Sequence, residues 1–199
     1  KQQYNSIESI ESKDSVEAMF GEFAKSMLVM GRRLDLEVMR ACVNLLKNCK
    51  VAHIMAVGNT SPLAQYMGFR LGRLGIKSTY NVAPEYFLNH VNLADEGDIL
   101  IAISQSGTSR QVIQGMELGK EKGLKMIAIT ACGQTPVSDL ADYVLLSAGI
   151  EEPFSYYKSY AHLNETAIID ALLNFVTNEE LIKMRQADKP EMILSEYKI

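Results

Sequence analysis

The stretch Asp98-Ile99-Leu100-Ile101-Ala102-Ile103-Ser104-Gln105-Ser106-Gly107-Thr108-Ser109-Arg110 decides the fold. Ile99 to Ile103 is an unbroken apolar run, the pattern of a strand buried on both faces, as strands of a parallel sheet are. The run stops at Ser104, small and polar residues follow, and Val112, Ile113 and Met116 then return at helical spacing. A strand, a hydroxyl-rich turn and a helix start together make an anion site. The first amides of a helix lack an internal partner, and the helix dipole places partial positive charge there. Ser104, Ser106, Thr108 and Ser109 can add hydroxyls around Gln105. Gly107 permits close backbone approach or a positive φ at little steric cost. The alternative is that the hydroxyls only cap a helix. One hydroxyl is enough for a cap, and four surround this glycine.

Working outward, the same pattern occurs once more. An apolar strand over Ala52–Val57 leads into Gly58-Asn59-Thr60-Ser61-Pro62, and a helix carrying Leu63, Met67, Leu71 and Leu74 ends at Gly75. Pro62 suits the first helical turn, where a missing amide hydrogen costs nothing. This turn is not G-x-G-x-x-G, and no G-K-[ST] follows it, which argues against a dinucleotide or a nucleoside triphosphate. Further strands are expected at Lys77–Val82, Lys125–Thr130 and Tyr143–Leu146. Helices are expected from Pro84 to Leu93, from Ser109 to Lys122, briefly from Thr135 to Leu140, and over Ala161 to Phe175. Two helices precede the first strand: one starts at Asp14-Ser15 and carries Met19, Phe20, Phe23, Met27 and Met30, and another runs from Asp35 to Lys47. They could cover a sheet face or pair with another subunit. Residues 1–13 read as a polar leading segment, Glu152–Tyr157 as a loop, and the tail as a helix over Asn178–Ala187 with an extended end.

Strands alternating with helices predict an α/β fold: a three-layer αβα sandwich on a five-stranded parallel doubly wound sheet, with extra N-terminal helices. In such a sheet ligands sit beyond the carboxyl ends of the strands where the strand order reverses. Both hydroxyl turns follow strands and so lie on that edge. If the two strands are neighbours, both turns face one ligand.

The totals narrow the partners. The 199 residues suit one full domain or a domain with an appendage, and 47% hydrophobic and 22% charged residues are ordinary for a globular chain. A net charge of −4 calls for neither nucleic acid nor an anionic membrane as a partner of this segment, and no apolar run approaches a bilayer span. Cys42, Cys49 and Cys132 are odd in number and lack metal-ligand spacing. Buried free thiols at Cys42 and Cys49 fit a reducing, cytoplasmic setting. The ten methionines fall mostly at core spacing, and no cofactor is expected. The start Lys-Gln-Gln-Tyr, without an initiator Met, reads as that of a fragment of a longer chain.

Three segments together resemble a known family. Ser104-Gln105-Ser106-Gly107-Thr108-Ser109, then Gly123–Thr130 ending Ile127-Ala128-Ile129-Thr130, then Ser138-Asp139-Leu140-Ala141-Asp142 resemble the SIS (sugar isomerase) signature S-x-S-G-x-T, I-x-I-T, S-x-[LI]-A-D. Ser109 stands where the family usually has Thr, so the hydroxyl is retained. The earlier turn is similar to the family's G-x-G-x-S, with Ala56 for the first glycine, Gly58 kept and Thr60 for the serine. The likeness covers roughly Asp35 to Asn174. Within the family the chain is most similar to the effector domains of RpiR-type transcription regulators. Tyr160-Ala161-His162-Leu163 and Ile168-Ile169-Asp170-Ala171-Leu172 resemble their closing helix, with Tyr160 in place of an arginine. The resemblance implies residues 1–34 as a linker from a DNA-binding domain outside this chain, 35–180 as a phosphosugar-binding domain and 181–199 as a tail. It also implies a homodimer or higher homo-oligomer. The ligand would be a phosphorylated sugar or amino sugar held by Gly58, Asn59, Thr60, Ser61 and Ser104–Ser109.

An isomerase of this family would need a general base and a group to assist ring opening. Glu165 and His90 are the candidates, with His53, His162, Glu85 and Glu152 behind them. Each has a plainer reading: Glu165 as a solvated helix carboxylate, His53 as a satisfied core histidine, His162 as a packing residue. No pair of them is fixed by spacing, which favours a sensor over an enzyme.

Overall fold

The computed structural model describes residues 13–147, 162–177 and 193. The polar leading residues before 13, the loop read at Glu152–Tyr157, Tyr160 of the closing-helix likeness and the helix read at Asn178–Ala187 lie outside the described residues.

Two helices come first, α1 (Lys13–Arg33) and α2 (Leu36–Asn48). Asp35 begins α2 as its cap, its carboxylate accepting from the amides of Glu37 and Val38 at 2.7 and 3.2 Å. The alternating part follows as β1 (Ala52–Met55), α3 (Ser61–Arg73), β2 (Ser78–Thr79), α4 (Pro84–Asn92), β3 (Ile99–Ile103), α5 (Arg110–Glu121), β4 (Lys125–Thr130), α6 (Pro136–Leu140) and β5 (Tyr143–Leu146), and α7 (Leu163–Val176) closes it. The strands lie in the order β2-β1-β3-β4-β5, all parallel. This is the expected five-stranded doubly wound sheet.

Strand alternation divides the core. Ile54, Ile99, Ile101, Ile127 and Ile129 face α2, α3 and α7, where Leu46, Met67, Ile168 and Leu172 meet them. Met55, Leu100, Ala102, Met126 and Ala128 face the other way, under Phe87 of α4, Met116 of α5 and Val137 of α6. Every residue of β3 is buried, because it is central and covered by helices on both sides. The two leading helices share the work: α2 covers a sheet face, while α1 docks on α7, with Met30 in the core and Asn164 Nδ2 of α7 donating to Ser26 Oγ at 3.1 Å.

One strand is shorter than expected. The strand expected over Lys77–Val82 is two residues long, Ser78–Thr79, paired with Ala52 and His53. It is an edge strand with a neighbour on one side only, and the chain leaves it at Tyr80 to reach Pro84 at the start of α4.

Candidate anion-binding site

In the order 2-1-3-4-5 the strands are added to one side of β1 and then to the other, so the crevice lies between β1 and β3, beyond their carboxyl ends. These are the two strands that carry the glycine–hydroxyl turns. The register pairs Met55 with Ala102, so the tips stop level and the turns rise side by side.

The turn after β3 is built by its own hydrogen bonds. The Ser104 amide extends the ladder to Ile129 O at 3.0 Å, and the Gly107 amide folds back on Ser104 O at 3.1 Å. Ser104 is buried, and its hydroxyl donates to Ser109 Oγ at 3.2 Å. Ser106 is exposed, and its oxygen accepts from the amide and hydroxyl of Thr108 at 3.3 and 3.0 Å. Gly107 has φ +67°. A side chain there would also run into Thr135, whose Cβ lies 2.6 Å from where a Cβ would stand. Both the conformation and the space require glycine. Thr135 is held in turn by a capping box with Ser138 at the start of α6, which fixes the wall behind the turn.

Ser109 is the cap residue of α5, yet its side chain makes no capping bond. Four hydroxyls therefore surround a helix start whose first-turn amides the cap side chain leaves unsatisfied. A purely capping role for these residues does not describe this arrangement. Exposed Arg110 opens the helix beside it.

The turn after β1 is tied to the first. Gly58 has φ +61° and leads a single 3-10 turn, Gly58–Thr60. Buried Thr60 lies 3.0 Å from Val57 O and 3.1 Å from Ile103 O, its hydroxyl donating to both. It thus ties the tip of β1 to the tip of β3, with its proton committed to the protein. Asn59 is exposed and Ser61 half-buried at the start of α3. Half-buried Gln105 offers its carbonyl to Ala131 N at 3.0 Å and Thr130 Oγ1 at 3.4 Å, linking the turn to the tip of β4.

Of the acid–base candidates, His90 and His53 lie away from these turns. His90 lies on α4 and lines a cavity of about 370 Å3 beside edge strand β2, with Gln65, Thr79, Tyr80 and Asn81 in the same wall and no residue of Ser104–Ser109. His53 bridges Thr79 Oγ1 at 2.9 Å and Asp98 Oδ2 at 3.3 Å inside the core, as a satisfied core histidine should.

Glu165 departs from its plainer reading. It is 1% exposed, not a solvated helix carboxylate. Ser147 Oγ donates to its Oε1 at 2.5 Å, while Oε2 and the nearby His162 Nδ1 have no partner among the described residues. Burial pushes its carboxyl above the ordinary range, against the Ser147 bond, a backbone hydrogen bond and His162. A signal for this burial exists in the sequence: Glu165 falls on the stripe of Ile168, Ile169, Leu172 and Val176 that faces the core. Ser147 and Thr135 carry no comparable signal. Among the described residues no cluster of His, Cys, Asp and Glu could hold a metal ion, and no helix is long and apolar enough to cross a membrane.

With this geometry in place, the likenesses to known proteins can be set beside it. The chain is 25% identical over 148 residues to an uncharacterized HTH-type transcriptional regulator of Clostridium perfringens, covering 74% of this chain and 53% of that protein. It is 20% identical over 159 residues to the HTH-type transcriptional regulator RpiR of Escherichia coli, covering 80% and 54%. The chain thus spans about half the length of these regulators. A glutamine–fructose-6-phosphate aminotransferase (isomerizing) of Sulfurisphaera tokodaii is 29% identical over 154 residues, 77% of this chain and 25% of that enzyme. Among solved structures, the Vibrio vulnificus NanR protein complexed with ManNAc-6P superposes with a TM-score of 0.83 at 19% identity, over 92% of this chain and 70% of that one. At that identity the superposition shows the shared fold. The profile of the SIS domain matches residues 45–174, from the end of α2 to α7, and so contains every element of the two turns. The chain belongs to the SIS domain family.

Proposed function

We propose that this chain is the phosphosugar-sensing effector part of an RpiR-type transcription regulator. Residues 35–180 form the binding domain, 1–34 lead from a DNA-binding domain outside this chain, and 181–199 are a tail. The phosphate of a sugar or amino sugar sits over the start of α5, taking hydroxyls from Ser104, Ser106, Thr108 and Ser109 and first-turn amides, with Gln105 and Gly107 shaping the turn. Gly58, Asn59, Thr60 and Ser61 bound the other side. The observation that carries this reading is the helix start at Ser109, ringed by hydroxyls and left uncapped by its own side chain. The regulators that the chain resembles support the role in transcription, and a solved relative with ManNAc-6P supports the ligand class. The domain works as a homo-oligomer in a reducing cytoplasm. Ligand changes its output through unequal affinity for two states of that assembly.

Calorimetric titration with ManNAc-6P, other hexose 6-phosphates and their unphosphorylated sugars tests this. Saturable binding that requires the phosphate is expected. A panel with no binding at millimolar ligand would sink the reading.

One observation favours a second reading, a phosphosugar isomerase. Glu165 is a buried carboxyl raised by its surroundings, with a free oxygen and an imidazole beside it, as proton transfer between neighbouring carbons requires. Turnover of an aldose or ketose phosphate, lost in Glu165→Gln, would establish it. Absence of turnover across the panel would remove it.

A further inference from the structure

Two buried side-chain atoms at the start of α7 stand out among the described residues. Glu165 Oε2 and His162 Nδ1 are buried without a hydrogen-bond partner among the described residues. The two residues are three apart and so share a helical face. The imidazole is near enough to act electrostatically on the carboxyl. The other carboxyl oxygen accepts from Ser147 at 2.5 Å. The carboxyl is thus held through Oε1 alone, with Oε2 buried beside it. An interior carboxyl cannot leave its one side-chain partner without a large desolvation cost, so it follows the Ser147 hydroxyl.

Ser147 is joined to the hydroxyl turn. Its amide donates to Thr130 O at 2.9 Å, and Thr130 Oγ1 donates to Gln105 O at 3.4 Å. On the far side, Asn164 lies next to Glu165 and donates from Nδ2 to Ser26 Oγ of α1 at 3.1 Å. A line of hydrogen bonds and adjacent residues thus runs from the turn, across the tips of β4 and β5, through the first turn of α7, into α1. Helix α1 is anchored at its end, where Met30 is buried, while Val16 and Phe20, nearer its start, are 40% and 65% exposed. The contact with α7 is part of what holds it.

We propose that Glu165 couples the hydroxyl turn to α1: occupancy of the turn by a phosphorylated ligand is passed through Thr130, Ser147 and the Glu165 carboxyl to the Asn164–Ser26 contact. The proposal rests on the anion-site reading above and adds how that site communicates. A ligand drawing on the Gln105 segment shifts Thr130, and with it the Ser147 hydroxyl that holds the carboxyl. The carboxyl follows the hydroxyl that holds it, and the first turn of α7 moves with it, which changes the Asn164–Ser26 contact. Glu165 touches no ligand in this scheme and acts as a positioning residue.

The test measures two things on the same samples, using wild type, Ser147→Ala and Asn164→Ala, which break the line on either side of Glu165. Calorimetry with ManNAc-6P and with inorganic phosphate reads binding. Hydrogen exchange of the α1 amides after Ser26, with and without saturating ligand, reads the far end. In wild type, ligand should change α1 exchange by about fivefold or more, the lower range of ordinary allosteric coupling. In both variants the dissociation constant should stay within about twofold while most of that change disappears. Should Ser147→Ala fail to fold, Asn164→Ala alone carries the test. A ligand-dependent change that persists in the variants overturns the coupling, as does wild-type binding with no response in α1. Loss of affinity along with the response would make the segment around Glu165 part of the binding site and also overturn it. Failure of wild type to bind either probe is a different result, because it removes the anion-site reading itself.

Discussion

Replacing Ser106 by alanine separates an anion site from a helix cap. The hydroxyl is exposed, and the partners the structure gives it are the amide and hydroxyl of Thr108, at 3.3 and 3.0 Å. Losing an exposed turn hydroxyl should change stability by no more than about 0.5 kcal/mol. For a chain of this size that is a shift in Tm of about 1–2 °C. Binding should respond far more. A hydroxyl donating to a phosphate dianion contributes about 1.5–3 kcal/mol, as hydrogen bonds to charged groups do. At about 1.4 kcal/mol per decade, the dissociation constant for a sugar phosphate should rise roughly tenfold to a hundredfold. The assay is calorimetry on Ser106→Ala and wild type with ManNAc-6P, beside a thermal melt of each. A loss under about twofold at matched Tm would show that the hydroxyl does not reach an anion. So would equal weakening toward the unphosphorylated sugar.

Three further outcomes follow from the packing and the charges. Gly107→Ala forces a side chain into positive φ and against Thr135, and should cost about 2 kcal/mol or more. Adding Thr135→Gly, which removes every side-chain atom that the new methyl group meets, should recover only part of the Tm, because the positive φ stays and the capping box of α6 is lost; full recovery would mean that φ carries no strain. Glu165 gives a pH signature. Its folded pKa is raised above the ordinary 4.5, so its contribution to stability is fully present below that value and is lost as pH rises through the folded one. Urea unfolding from pH 4.5 upward should show Glu165→Gln gaining on wild type as pH rises, and a constant difference would contradict the burial argument. Finally, burial pushes the Cys42 thiol up to about 12 and Cys49 to about 11, while Cys132 is exposed. Brief iodoacetamide labelling read by mass spectrometry should mark Cys132 first and leave Cys42 unmodified until the protein unfolds.

The apolar runs at Ile99–Ile103 and Met126–Ile129 were enough to expect central strands, because only a strand covered on both faces can afford no polar residue. The turn residues were legible for a similar reason: glycine and hydroxyls cluster where a backbone must bend and meet a charge, whatever the rest of the chain does. The length of β2 was not legible, since β-branched residues mark a chain that can extend, and pairing at an edge decides how far it does.

Local chemistry alone determined the helices, the central strands and the two hydroxyl turns, because each of those signals is contained within a dozen residues. Three things belong to the tertiary structure. It set β1 beside β3, so that Thr60 reaches Ile103 O and the turns share one crevice. It brought Thr135 against Gly107 across 28 positions of chain. It also closed Ser147 over Glu165, giving the buried carboxyl its hydrogen-bond partner. Each is a contact between segments far apart in sequence, formed only when the sheet orders its strands, and no periodicity within one segment encodes which neighbour it will find.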